Sequence, residues 1–297
     1  MTGRLSRLTP GNTTALSAVE CPVTGVVYTD DDGIARLLCQ HWSKVLKRKP
    51  VDLTILDDWL RDSPSWAPVM PPLDLMISKE RVEDALKYAR DSSPGPDGIP
   101  YSAYRPFDFV IDLLHQATGQ LTEHEPQAIP LDFNQADLCC LPKKPSRSDP
   151  VHGNVFLPKA TRPLSVVNTD NRTMAAALRL AVETPFGNWI SPAQRGFVRG
   201  RSMLENVMDI DFAMRLASMK GGRPLAVFFD FEAAFPSISW DFVFRILVVV
   251  EAPPAFVRAL RRLYNHNVQT VKLRSSAGYS FVATCGVRQG SPLSPLV

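Results

Sequence analysis

The chain has 297 residues, of which 45% are hydrophobic and 21% charged, and its formal net charge at pH 7 is +3. That composition is ordinary for a globular protein and leaves room for one large domain or two small ones; a charge this small does not by itself argue for a nucleic-acid partner. No run of about 18 apolar residues is present, so no membrane span is expected, and the start of the chain lacks the long apolar stretch of a signal peptide. Residues 1–30 read as a poorly ordered polar lead-in with a possible hairpin at Thr24-Gly25. Residues 31–48 place Ile34, Leu37, Leu38, Trp42, Val45 and Leu46 on one helical face, with Asp30 or Asp31 available as a cap. The proline-rich stretch 51–77 reads as a linker, so 31–91 is expected to be a helical extension and linker ahead of the main domain. A helix is expected from Ser78 to about Arg90, ended by the turn formers of SSPGPDGIP. Residues 105–125 suggest another helix, 145–160 a loop, and 169–183 a helix. LAVFFD at 225–230 is a short continuous apolar run, which predicts a buried strand. Helices are expected from Trp240 to Glu251 and from Pro254 to Tyr264, then a hairpin over 268–284 with its turn at 275–278. Helices, then a strand, helices and a hairpin indicate a mixed α+β fold.

The five cysteines, Cys21, Cys39, Cys139, Cys140 and Cys285, show neither a CxxC pair nor a Cys/His metal spacing, which suits buried thiols in a reducing compartment. Basic residues cluster at 44–49, 143–147, 195–201 and 258–262. Such clusters can follow a phosphate backbone, and they suit solvated helix ends equally well.

Asp230 closes the apolar run. A carboxylate at the tip of a rigid strand is well mounted to hold a hard cation such as Mg²⁺. Taken alone, the position favours the plainer reading, an Asp that caps the following turn. Asp230 is followed by Ala234 and Phe235 in FFDFEAAFPSISW, and GVRQGSPLSPL spans 286–296. Upstream stand SSPGPDGIPYSAYR (92–105), ADLCCLPKKP (136–145), TRPLSVVNTDNRTMAAALRLAVE (161–183) and PAQRGFVRGRSMLENVMDI (192–210). For Phe235 the plain alternative is a core aromatic; for GVRQGSPLSPL it is a Gly/Pro turn before a helix, which the length of the run speaks against.

Together and in this order, these blocks resemble the reverse transcriptases of non-LTR (LINE-like) retrotransposons. The resemblance implies a right-hand polymerase fold, with fingers and a partial palm over 92–297 and the thumb absent. It implies that Asp230 is catalytic and that Asp230 and the backbone carbonyl of Phe231 are metal ligands. It places Lys143, Arg162, Ala234, Phe235, Gln289 and Gly290 around the incoming nucleotide, with Phe235 excluding a ribose 2′-hydroxyl. The implied cofactor is Mg²⁺, two ions in the intact enzyme, and the implied partners are an RNA template, a DNA primer and deoxynucleoside triphosphates. The family's adjacent Asp pair lies beyond Val297, so the 297-residue chain alone is expected not to extend a primer. Ala233, Pro236 and Ser291 depart from the family pattern, and the loop between Lys144 and Arg162 is longer than usual. A catalytically inactive nucleic-acid-binding remnant and a group II intron maturase-like enzyme are the alternatives.

Overall fold

The computed structural model describes residues 16–61, 68–125 and 128–296. The expected hairpin is present: β1 (Val19–Glu20) pairs antiparallel with β2 (Val27–Tyr28). Gly25 takes a left-handed φ of 71° in the turn, where a missing Cβ removes the steric cost. Residues 16–30 are therefore not a loose lead-in. Val19 is fully buried, and backbone bonds tie 18–20 to Phe156, with Glu20 N–H donating to Phe156 O at 2.9 Å and Phe156 N–H to Ala18 O at 3.0 Å. Residues 1–15, the rest of that expected lead-in, lie outside the described residues.

Helix α1 (Asp31–Val45) begins where its cap predicts, with the Asp30 carboxylate accepting from Gly33 N–H at 2.6 Å. Its apolar face buries Ile34, Leu38 and Trp42 against Leu138, Val271 and Ala283. Each such side chain contributes about 1.5–3 kcal/mol on leaving water. The stretch read as a linker contains a helix, α2 (Leu53–Arg61), started by Asp52, whose carboxylate accepts from Thr54 and Ile55 N–H. The prolines around it hid that cap. Helices α3 (Lys79–Lys87, capped by Ser78), α4 (Tyr101–Tyr104) and α5 (Asp108–Thr122) follow.

Strand β3 (Ala136–Pro142) comes next. The expected loop at 145–160 is mostly ordered: β4 (Arg147–Asp149) and β5 (Gly153–Val155) form a hairpin, and Pro158–Ala160 a 3₁₀ turn. Asp149 organises it, accepting from Val151 N–H at 2.9 Å and His152 N–H at 3.0 Å. The Arg147 guanidinium, with those amides, holds the Asp149 carboxyl well below the usual carboxylate range. Strand β6 (Thr161–Val167) then leads into α6 (Thr169–Trp189), which runs past the expected end at 183 and through Pro185.

Helix α7 (Met203–Met219) carries apolar side chains all round, and none of its residues is buried. The expected buried strand at 225–230 is not formed. Those residues have no regular structure, and Leu225, Phe228 and Phe229 are 86%, 78% and 85% exposed. A strand exists only by pairing, and among the described residues none pairs with this run. Beyond it come α8 (Ala234–Ser237), α9 (Trp240–Val249), α10 (Pro254–Tyr264), β7 (Val268–Val271) and β8 (Tyr279–Val282). The PLSP run opens only a 3₁₀ turn, Ser294–Leu296.

The central sheet has the order β6-β3-β7-β8, with β3 antiparallel to β6 and parallel to β7. This mixed sheet with flanking helices is the α+β architecture expected. Helix α1 covers one face, while Val82, Leu114, Leu178 and Phe256 build a second, helical core. Packing runs continuously across residue 91, because α1 lies on the sheet and α3 lies on α6. The five cysteines are free, and only Cys285 is buried; Cys139 is exposed, contrary to the expectation of buried thiols.

Replacing Phe256, which is fully buried and edge-on to Phe186 at 5.1 Å, by Ala is expected to destabilise the fold by about 3–5 kcal/mol in urea unfolding. Gly286 has a φ of +81°, and a Cβ there would overlap the Pro236 carbonyl oxygen. Gly286→Ala is expected to lower stability by about 2 kcal/mol or more, although it adds only one methyl group. An unchanged denaturation midpoint would show that this close backbone approach is not a constraint.

Candidate active site

Strands β3 and β6 run antiparallel with Leu141 opposite Arg162, so Lys143, just past the end of β3, comes close to Arg162. A bond from Lys143 N–H to Ala160 O at 2.9 Å fixes that end. Helix α1 braces it from behind: Trp42 Nε1–H donates to the buried Thr161 hydroxyl at 3.1 Å. Both cationic side chains are exposed and point away from the core.

The segment 286–290 passes between β6 and α8, held almost wholly by backbone groups. Gly286 N–H donates to Ile238 O, Val287 N–H to Phe235 O, and Ser165 N–H to Gln289 O, at 2.8, 2.8 and 2.9 Å. Trp240 Nε1–H adds a bond to Gly286 O at 2.8 Å. Gly290 has a φ of +105°, and a Cβ would meet Leu164 Cδ1 at 2.7 Å, so this position requires glycine. Ala233, left-handed at φ 53°, turns the chain from Asp230 into α8.

Lys143, Arg162, Asp230, Phe231, Ala234, Phe235, Gln289 and Gly290 thereby come to line one cavity of about 1030 Å³. Such a volume admits a ligand as large as a nucleoside triphosphate. Lys144, beside Lys143, does not line it. Asp230 reaches the cavity from an exposed, irregular segment and not from a strand tip. The Gln289 Oε1 atom is buried without a hydrogen-bond partner.

Among the further residues that line the same cavity and were not singled out in the sequence are His41, Lys159, Phe197 and Arg288. Phe197, at φ 62° and 63% exposed, stands edge-on to Phe235 with centroids 6.2 Å apart. Its place in RGFVRGR was visible, but its pairing with Phe235 is long-range. Burial, followed by the nearby Lys44 charge, pushes the His41 imidazole below its usual range, which leaves it neutral at pH 7. Lys159 and Lys49 add two more exposed cations to Lys143 and Arg162.

Among the described residues, no group of three or more His, Cys, Asp or Glu side chains is placed to hold a metal ion. The acidic side chains on the cavity are Asp230 and Glu232. The wall is thus predominantly cationic on the β3–β6 side, with a small carboxylate group facing it from 230–232.

Residues 141–297 match the family model described as reverse transcriptase (RNA-dependent DNA polymerase). The chain is 29% identical over 225 residues to the transposon TX1 uncharacterized 149 kDa protein of Xenopus laevis, covering 75% of this chain and 16% of that protein. It is 27% identical over 223 residues to the retrovirus-related Pol polyprotein from type-2 retrotransposable element R2DM of Drosophila melanogaster, covering 72% and 19%. A Pol polyprotein from type-1 retrotransposable element R2 of Popillia japonica is 24% identical over 230 residues, covering 74% and 29%. The chain therefore spans less than a third of the length of each of these relatives. The match begins within β3 and takes in every block from Arg162 to the Gln289 turn, and the chain belongs to the reverse transcriptase (RNA-dependent DNA polymerase) family, in the form carried by non-LTR retrotransposons.

Proposed function

We propose that this chain is the nucleotide-binding part of an RNA-directed DNA polymerase, with residues 92–297 corresponding to the fingers and part of the palm of a right-hand fold. The observation that carries the reading is the convergence of Lys143, Arg162, Asp230, Phe235 and Gln289, which come from separate segments, on one cavity. Residues 31–91 support that unit by packing and do not form a separate module.

In this reading Arg162 presents a planar fork to phosphate oxygens and Lys143 a point charge, so the two grip a triphosphate differently. Phe235 stands at the sugar, where its ring occupies the space of a 2′-hydroxyl, and Phe197 holds that ring from the far side. Gln289 and Gly290 face the sugar and base of the incoming nucleotide. Asp230, the Phe231 carbonyl and Glu232 suit a Mg²⁺ ion that arrives with the triphosphate, since this ion is usually held by one or two carboxylates plus substrate phosphates. When bound, it supplies charge neutralisation to the phosphates. The partners implied are an RNA template, a DNA primer and deoxynucleoside triphosphates.

Equilibrium dialysis with Mg·dTTP tests the reading. Arg162→Gln is expected to weaken binding about tenfold or more, the worth of a charge-assisted bond. Lys143→Gln is expected to cost less, about threefold, because its side chain is flexible and solvated. If the unaltered chain shows no saturable binding of Mg·dTTP, the nucleotide-site reading fails. Phe235→Ala is expected to raise the affinity for Mg·UTP toward that for Mg·dTTP, and an unchanged preference would remove Phe235 from sugar selection.

A further inference from the structure

Arg288 lies behind the cavity wall, 4% exposed. Its guanidinium is held by three neutral side-chain oxygens: Nε–H donates to Asn267 Oδ1 at 3.1 Å, Nη2–H to Asn134 Oδ1 at 3.0 Å and Nη1–H to Asn171 Oδ1 at 3.5 Å. The Tyr264 ring lies 5.1 Å below it. The cage draws on the approach to β3 (Asn134), α6 (Asn171), the approach to β7 (Asn267) and α10 (Tyr264). No carboxylate lies within ion-pair distance of Arg288 among the described residues, although thirteen other ion pairs occur there.

A buried charge normally acquires a counter-ion, because desolvation is costly. Here the amide dipoles solvate the cation and leave its full charge in place. Burial lowers the Arg288 pKa only to about 10, so the group stays cationic at neutral pH. The next residue, Gln289, and Gly290 face the cavity, and Arg288 itself forms part of its lining. Charges in a low-dielectric interior are weakly screened by salt, unlike the exposed Lys143 and Arg162.

We infer that Arg288 is an electrostatic binding element for the triphosphate of the nucleotide, its buried charge left uncompensated by the asparagine cage and acting on the anion across the cavity wall. This inference rests on the nucleotide-site reading above. It differs from a structural role for Arg288, in which only the cage geometry matters.

Asn267→Asp separates the two. Asn267 Oδ1 accepts from Arg288 and from Gln269 Nε2–H at 2.6 Å. An Asp keeps both acceptor contacts and adds the missing counter-ion. Under the inference, the thermal midpoint stays level or rises while Mg·dTTP affinity in equilibrium dialysis falls about tenfold. If Asn267→Asp folds and binds Mg·dTTP as tightly as the unaltered chain, the inference is overturned. Should that variant fail to fold, Arg288→Met and Arg288→Lys decide. Met removes the charge and is expected to lose about tenfold, whereas Lys restores most of the affinity while leaving the midpoint lowered. Equal binding by Met and Lys overturns the inference. Absence of Mg·dTTP binding by the unaltered chain sinks the underlying reading instead, and this proposal with it.

Discussion

The candidate site depends on how the 286–290 segment is seated between two distant parts of the chain. On one side it bonds to Phe235 and Ile238 through backbone amides, and on the other it accepts from Ser165 of β6. Three stretches that carry candidate site residues are thus locked together mainly by main-chain groups, with the Trp240 indole N–H adding one side-chain bond to Gly286 O. Side chains at 287–289 can then serve packing or chemistry without also having to hold the segment. The cost falls on the glycines: residue 286 abuts the Pro236 carbonyl and residue 290 abuts Leu164, so neither position tolerates a Cβ without displacement.

Charge is distributed in two layers around the cavity. The outer layer, Lys49, Lys143, Lys159 and Arg162, is exposed to solvent, where salt screens its charges. The inner layer is Arg288, fixed among three asparagines and an aromatic ring. Facing both are two carboxylates, Asp230 and Glu232. The imbalance suits an anion that brings its own divalent cation and would be poorly suited to an uncharged ligand.

Local signals were legible where a helix carried its own punctuation clear of neighbouring prolines. Asp30 and Ser78 cap α1 and α3 as their side-chain chemistry demands, and the apolar stripes of both helices are buried. Asp52 offered the same signal for α2 but was masked by neighbouring prolines. The Asp149 turn likewise sat inside a stretch whose Gly and Pro residues suggested a plain loop. The run 225–230 fails differently. Its apolar composition is real, but strand formation depends on a partner, and composition does not specify one. The site residues Phe197 and Arg288 escaped because their meaning lies in contacts with Phe235 and with three asparagines remote in sequence.

The irregular path of 225–230 raises the question of what places Asp230 in the cavity at all. An unpaired segment whose apolar side chains face solvent cannot position it from the N-terminal side. The restraint comes from the other direction. Ala233 turns left-handed, α8 follows within one residue, and the carbonyl of Phe235 is held by Val287 N–H. Asp230 therefore sits at the end of a short tether anchored at 233–235. Its distance from the cations is limited by three residues of backbone and not by a sheet. A carboxylate mounted this way can follow a ligand by small rotations of the tether, whereas a divalent ion with strict octahedral demands gains most from a rigid mount. Ordering of 225–230 by added strand pairing would convert the first kind of site into the second.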